Sequence, residues 1–138
     1  MAENILLEIV TPEKGVVSEE AQIVMAPGSL GEFGILSGHT PFMTSLNVGT
    51  VRYTDKDGKE RFVFVNGGFA EAMPDRVTIL AESAERRRDI DINRAQSAKS
   101  RAEERLAKDR DENLDFVRAR AALNRAILRL RLAETAKM

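Results

Sequence analysis

The stretch RRRDIDINRA, residues 86–95, divides the 138-residue chain into two regions of different composition. All 9 glycines and all 4 prolines precede it, between residues 12 and 74. Glycine and proline interrupt helices and mark turns, so a region that contains them and a region that lacks them fold differently. We therefore expect a turn-rich domain at residues 1–84 and a helical domain at residues 85–138.

The composition excludes several classes of protein. Hydrophobic residues make up 43% of the chain, as in ordinary soluble proteins. No cysteine is present, which excludes disulfides and thiolate metal sites. No window approaches the roughly 20 apolar residues of a membrane-spanning helix, and the first residues do not have the pattern of a signal peptide. We expect a cytoplasmic protein, or one that is held at a membrane only through partners.

The formal net charge of -1 hides a difference between the two regions. Residues 1–84 carry 6 Lys and Arg against 12 Asp and Glu, a net charge of -6, whereas residues 85–138 carry 15 against 10, a net charge of +5. The two values sum to the total of -1. The two regions are therefore suited to different surroundings.

The first region has the pattern of closely spaced β-strands. The segments that indicate strands are ILLEIV, AQIVMAP, NVGTVRYT, ERFVFVNGG, GFAEAM and DRVTILAES. Asp57-Gly58 between two of them predicts a hairpin turn. Asp55-x-Asp57-Gly58 also resembles the start of a calcium loop, but the remaining ligands of such a loop are missing, which favours a plain hairpin. The pattern predicts an antiparallel β-sandwich or flattened barrel.

The second region has helical periodicity. Two apolar stripes with spacings of three and four residues predict two helices, joined by a polar link at residues 108–113. The stripes consist of Ala95, Ala98, Ala102 and Leu106, and of Phe116, Ala119, Leu123, Ile127 and Leu130. We expect an antiparallel helical hairpin that is too small to be stable alone and that docks on the first domain or on another protein. The fold class is therefore α+β.

No catalytic or metal site emerges from the residues. His39 is the only histidine, and Ser37 beside it is not in a nucleophile-elbow motif. One histidine without cysteine does not make a metal site, and the glycines of residues 28–38 do not match a phosphate-binding loop. The residues therefore predict neither a catalytic pair nor a metal site.

The arginines of the second region remain to be explained. Arg118, Arg125 and Arg129 cluster on one side of the second predicted helix, and Arg94 and Arg101 share a face of the first. The cluster is either a solvated surface or a binding site for an anion such as a phosphate group. A stand-alone ATP- or anion-binding module and a basic-helix nucleic-acid-binding protein are therefore alternative functions. The acidic residues interleaved with these basic residues, and the small number of aromatic residues, argue against nucleic-acid binding.

Four ordered motifs resemble the epsilon subunits of bacterial and chloroplast-type F-type ATP synthases. They are GEFGILSGHTPFMTSL (residues 31–46), NGGFAE (66–71), DRVTILAESAE (75–85) and DIDINRA (89–95). The resemblance covers essentially the whole chain and implies a central-stalk rotor subunit that is not an enzyme by itself. Such a subunit binds γ, rests on the loops of the membrane rotor ring and helps to couple proton flow to ATP synthesis at the cytoplasmic face of the bacterial inner membrane.

The resemblance also implies roles for particular residues. Glu32 and Phe33 match the ring-facing contact and His39 matches a contact with γ, while Ser37 replaces the usual proline of that motif. The helical hairpin of such subunits can extend to the α and β subunits of the catalytic head and inhibit ATP hydrolysis. The basic residues that we assign to this inhibition are Arg118, Arg120, Arg125 and Arg129.

The stretch at residues 90–95 matches a motif that is associated with ATP binding to the folded hairpin. The resemblance implies no required cofactor, but it implies ATP as a possible regulatory ligand that favours the folded hairpin. The residues carried over to such a site are Glu85, Asp91, Arg94, Arg101, Arg125 and Arg129.

Overall fold

A computed structural model describes residues 3–108 and 113–135 and divides the chain into a strand unit and a helical unit. The strand unit ends at Arg87, and the helical unit begins at Arg88. Seven strands form the first unit: β1 (Ile5–Val10), β2 (Gly15–Gly28), β3 (Gly31–Ile35), β4 (Phe42–Asp55), β5 (Glu60–Ala72), β6 (Arg76–Leu80) and β7 (Ala84–Arg86). Neither helix in residues 3–108 and 113–135 has a membrane-spanning apolar segment.

Five of the strands close into a ring. The sheet runs in the order β1-β6-β5-β4-β2, and β2 also pairs with β1. All of these pairings are antiparallel except that of β1 with β6. An odd number of strands cannot alternate in direction around a closed ring, so one neighbouring pair must be parallel. The predicted flattened barrel is confirmed, with one parallel pairing that the sequence pattern did not reveal.

The core of the strand unit is formed by apolar side chains that alternate along the strands with outward-facing ones. Leu7 and Ile9 of β1 and Val77 and Ile79 of β6 are fully buried, whereas the residues between them face outward. Burial of such side chains contributes about 1.5–3 kcal/mol each to folding. The sequence therefore defines an inward and an outward face on each of these strands.

Gly67 and Gly68 lie in the middle of β5, where the sequence pattern indicated a break between two strands. Their φ angles of 72° and 118° lie in the region that favours glycine. On one side of the glycines β5 pairs with β7, at residues 63–65, and on the other side it pairs with β6, at residues 69–72. The two predicted strands are therefore one strand that changes its partner at this point.

The Asp57-Gly58 turn joins β4 to β5 as the predicted hairpin, and Gly58 has a φ angle of 84°. Asp55 is 6% exposed, and its Oδ1 accepts hydrogen bonds from the backbone N–H groups of Asp57 (2.9 Å) and Lys59 (3.0 Å). Its Oδ2 accepts a hydrogen bond from Nε of Arg61 at 3.2 Å. The carboxylate therefore stabilises the turn. No cluster of residues that could hold a metal ion occurs in residues 3–108 or 113–135.

Strand β7 extends the strand unit beyond the expected boundary at residue 84. Arg86 donates a hydrogen bond from Nε to the carbonyl oxygen of Val16 (3.1 Å), and its Nη2 lies 3.0 Å from Glu19. The guanidinium group of Arg87 lies 4.4 Å from the centre of the Phe62 ring, a cation–π contact. These contacts hold the chain on the strand unit up to Arg87, so the boundary falls later than the composition indicated.

The helical unit contains α1 (Ile92–Lys108) and α2 (Asn113–Thr135). Asp91 caps α1, since its Oδ1 accepts a hydrogen bond from the backbone N–H of Arg94 at 3.0 Å. Ile90 and Ala95, on either side of this cap, are buried, an arrangement typical of a hydrophobic staple. The predicted polar link falls mainly at residues 109–112, which lie outside the described residues.

The predicted helical hairpin is confirmed, but its packing differs from the predicted stripe on α2. Small residues spaced by seven are buried, which lets the two helices approach closely. We call them the alanine seam: Ala95 and Ala102 on α1, and Ala119, Ala126 and Ala133 on α2. Phe116, which we predicted to lie on the buried stripe, is exposed. The alanine seam determines which side of α2 faces inward, and Phe116 and Val117 remain exposed on its outer side.

Candidate partner-binding surfaces

The outward face of the strand unit carries a cluster of exposed apolar side chains. Phe69 on β5 and Leu80 on β6 are directly opposite each other in the strand register and are 58% and 56% exposed. Met43 on β4, in the next row of the same face, is 67% exposed. We call Phe69 and Leu80 the apolar ridge. Contiguous exposed apolar side chains of this size are typical of a protein-binding surface.

Two grooves lie on either side of the apolar ridge and share its two residues. One has a volume of about 340 Å³ and is also lined by Met43, Ala70, Glu71 and Thr78. The other has a volume of about 550 Å³ and is also lined by Val10, Thr11, Pro12, Gly68, Ala81 and Glu82. The ridge is therefore a raised apolar strip between two depressions, a shape that can interdigitate with side chains of a partner.

The hairpin between β2 and β3 carries the predicted ring contact. Glu32 is exposed on β3 and forms an ion pair with Arg52 at 3.1 Å. Leu30 at the tip of this hairpin is 99% exposed. The Oγ atoms of Ser29 and Ser45 are 2.6 Å apart and connect the hairpin to β4.

Phe33 and His39, which the resemblance assigned to partner contacts, belong to one aromatic group. Phe33 is half-buried against the core, and its ring is 5.2 Å from that of Phe42 in an edge-to-face arrangement. The His39 ring is 5.0 Å from the same Phe42 ring, and its Nδ1 lies 2.6 Å from the carbonyl oxygen of Thr40. Glu32 and Phe33 are therefore in different environments. Glu32 is exposed, whereas Phe33 packs against the core and stabilises the strand unit whatever it contacts in a complex.

Of the residues assigned to an ATP site, Asp91 caps α1, Arg94 lies in its first turn and Arg101 lies about two turns further along. Asp91 uses one carboxylate oxygen for the helix cap, while the side chains of Arg94 and Arg101 are exposed. These two arginines are seven residues apart and therefore lie on one face of α1. Glu85 is half-buried on β7 of the strand unit and already has an interaction partner.

The four arginines that we assigned to inhibition do not form one surface on α2. Arg118 and Arg120 are exposed, while Arg125 and Arg129 are half-buried, and Arg129 already has an interaction partner. Arg120 lines an apolar groove of about 450 Å³ on the outer side of α2. The other residues of this groove are Phe116, Val117, Ala121, Leu123, Asn124 and Ile127. Helical periodicity places Arg118 on a different side from Arg120.

Comparison with known proteins covers both units. Residues 4–87 match the family model of the ATP synthase delta/epsilon chain β-sandwich domain, and residues 88–134 match the model of the delta/epsilon chain long α-helix domain. The ATP synthase epsilon chain of Desulforapulum autotrophicum is 63% identical over 135 residues, which cover 98% of this chain and 99% of the relative. That of Desulfatibacillum aliphaticivorans is 59% identical over 138 residues, which cover 100% and 97%. The chain belongs to the ATP synthase epsilon family.

Solved structures agree with this fold. A chain of the Euglena gracilis mitochondrial ATP synthase, in a structure of its OSCP/F1/c-ring, superposes with a TM-score of 0.78 at 22% identity, covering 98% of this chain and 82% of that one. A chain of the Tetrahymena thermophila mitochondrial ATP synthase central stalk/c-ring gives a TM-score of 0.64 at 13% identity, covering 96% and 98%. Epsilon chains are non-catalytic subunits, in agreement with the prediction that the chain is not an enzyme.

Sequence reasoning did not single out the apolar ridge of this epsilon-family chain. Phe69 alternates with buried Ala70 along β5, and Leu80 alternates with buried Ile79 along β6. Both residues of each neighbouring pair are apolar, so the pattern alone does not decide which one faces outward. Register and burial decide it, and they place the larger side chain of β5 on the surface.

Proposed function

We propose that the chain is the central-stalk epsilon subunit of a bacterial F-type ATP synthase at the cytoplasmic face of the inner membrane. In this proposal the strand unit binds the γ subunit and contacts the loops of the membrane rotor ring, and it thereby helps to couple proton flow to ATP synthesis. The observation that carries the proposal is the apolar ridge of Phe69 and Leu80 with adjacent Met43.

The proposed γ contact follows from the cost of leaving this ridge in water. Burial of apolar surface contributes about 25 cal/mol for each Å², so covering three large, half-exposed side chains stabilises a complex. A rotor subunit needs such a contact because it must remain attached while the complex turns. Exposed Glu32 and Leu30, on the separate β2–β3 hairpin, are the proposed contact with polar loops of the ring.

A binding experiment with purified γ subunit tests the strand-unit proposal. Phe69→Ser should weaken γ binding by about 30-fold or more, as expected for an apolar anchor at the centre of an interface. Val117→Ser on α2, which also removes an exposed apolar side chain, is the matched control and should leave the affinity unchanged. A wild-type chain that does not bind γ would overturn the proposed function.

The helical unit is the proposed inhibitor of ATP hydrolysis. Residues 88–138 carry 13 Lys and Arg against 9 Asp and Glu, and this net charge of +4 suits an acidic surface of the catalytic α and β subunits. Each exposed ion pair contributes only about 0–1 kcal/mol, so several arginines must act together. In this proposal the extended hairpin blocks hydrolysis and the folded hairpin permits it.

ATP is the proposed ligand that favours the folded hairpin. Support comes from Arg94 and Arg101, which expose two guanidinium groups on one face of α1 beside the Asp91 cap. A planar guanidinium suits bidentate contacts with phosphate. Because a ligand shifts an equilibrium only by its difference in affinity for the two states, ATP must bind the folded hairpin more tightly than the extended one.

Calorimetric titration of the isolated chain with ATP and with ADP tests the nucleotide proposal. We expect ATP binding that is lost in Arg94→Ala and kept in Arg76→Ala, an exposed arginine of the strand unit. Equal binding by both variants would exclude Arg94 from the site. No binding of ATP by the wild-type chain would remove ATP as a regulatory ligand and leave Asp91 as a helix cap.

A further inference from the structure

One carboxylate lies within the apolar surface that we assign to γ. Glu71 is the only charged residue among those that line the 340 Å³ groove beside the apolar ridge. In the strand register it lies opposite Met43 on one side and Thr78 on the other. Thr78 in turn lies opposite Glu8 of β1. The outward face therefore has a row Met43-Glu71-Thr78-Glu8 directly beside the row that contains the ridge.

Neither carboxylate of this row has a cation partner in the part of the chain that the structure describes. No ion pair within residues 3–108 and 113–135 includes Glu8 or Glu71. Arg76 lies on the same face, two residues before Thr78 on β6, but it forms no ion pair with either of them. Glu71 is exposed and Glu8 is partly exposed, so both side chains are accessible to solvent in the free chain.

Docking of a partner on the apolar ridge changes the solvent exposure of Glu71. Covering the 340 Å³ groove removes water from Glu71, and an unpaired carboxylate that loses its water is strongly destabilised. A partner that supplies a positive charge with good geometry compensates this loss most strongly. An entirely apolar partner surface would fit the ridge but not the groove beside it.

We infer that the segment of the γ subunit that covers the apolar ridge carries a lysine or arginine that pairs with Glu71, with Glu8 adding negative charge beside it. This inference rests on the proposed function, since it takes γ as the occupant, and it adds the chemistry of the contact. Glu71 is then the residue that selects the partner by charge, while Phe69 and Leu80 supply the apolar contact area. A divalent cation is a poorer occupant, because the groove offers only one carboxylate among apolar side chains and Thr78.

The test measures binding of the full chain to purified γ subunit at low and at high salt. The variants are Glu71→Gln, Glu71→Lys and Glu8→Gln. The matched control is Glu13→Gln, which removes an exposed carboxylate from the turn between β1 and β2. All three positions are exposed or partly exposed, and the melting temperature of each variant checks that folding is retained.

We expect Glu71→Gln to weaken binding about 30-fold and to reduce its salt dependence, as for a charge pair that is desolvated in an interface. Glu71→Lys should weaken binding more, Glu8→Gln less, and Glu13→Gln should bind like the wild-type chain. An acidic substitution at one basic position of γ should restore binding to Glu71→Lys.

Two results would overturn the inference and are distinguishable. If the wild-type chain binds γ and Phe69→Ser does not, but Glu71→Lys binds as tightly as the wild-type chain, the ridge is correct and the charge pairing is wrong. If the wild-type chain does not bind γ at all, the proposed function fails and this inference fails with it.

Discussion

Gly68 is the residue at which β5 changes its partner, and we expect Gly68→Ala to be strongly destabilising. Its φ angle is 118°, and an added Cβ would lie against the carbonyl oxygen of Leu80 and 2.8 Å from Cα of Ala81. Both obstacles are backbone atoms that cannot rotate away, so the expected loss is about 2–4 kcal/mol. Denaturant unfolding measures it. Gly15→Ala, where an added Cβ meets nothing within 4 Å, is the control and should change stability little.

Asp55 makes the stability of the strand unit depend on pH. The backbone N–H of Lys59, together with Arg61 and the N–H of Asp57, holds the pKa of Asp55 below its ordinary value of 3.8. A lowered pKa in the folded state contributes stability above the pKa of the unfolded chain, and this contribution is lost as the pH falls through the folded value. Asp55→Asn should therefore melt earlier than the wild-type chain at neutral pH, and the difference should shrink in acid. A difference that stays constant down to strongly acidic pH would contradict this account.

At the scale of the elements, the sequence predicted the positions of most strands and both helices because their apolar periods are clear. It did not predict that β5 continues through Gly67-Gly68, since two glycines normally mark a turn and only the pairing with β6 and β7 keeps the strand continuous. It also did not predict the alanine seam. Both Phe116 and Ala119 fit a helical stripe, and the close approach of the two helices, which favours small residues, leaves Phe116 outside.

The alanine seam gives a prediction for α2. Ala126 is almost fully buried, so Ala126→Leu forces three additional carbon atoms into a closely packed contact. Overpacking of this kind costs about 1–3 kcal/mol, and we expect it to separate the helices without affecting the strand unit. Hydrogen exchange measures the effect: the amides of α2 should exchange faster, while those of β1–β6 remain unchanged. Ala121→Leu, at an exposed position of the same helix, should leave both rates as they are.

At the scale of the whole molecule, the ordered motifs and the opposite charges of the two regions were sufficient to indicate the family. They were not sufficient to locate the binding surfaces. Phe33 lies within a motif, yet it packs against the core, whereas Met43, Phe69 and Leu80 form a surface only after three strands, β4, β5 and β6, have come together. A surface composed of residues that are distant along the chain depends on strand register, which a single sequence specifies only indirectly.

The arrangement of arginines on α2 determines how the proposed inhibition should be tested. Replacing Arg118, Arg120, Arg125 and Arg129 together by Gln should raise ATP hydrolysis by the assembled synthase about tenfold, because four ion pairs of modest strength are lost at once. Arg125 and Arg129 are half-buried, so replacing them can also disturb the packing of the hairpin. A double variant of the exposed Arg118 and Arg120 removes positive charge without this change in packing. That double variant should raise hydrolysis by a smaller factor with the helix content unchanged. Lys56→Gln with Lys59→Gln removes two positive charges from the strand unit and should have no effect. Hydrolysis that is the same in all variants would mean that charge on α2 does not inhibit the enzyme.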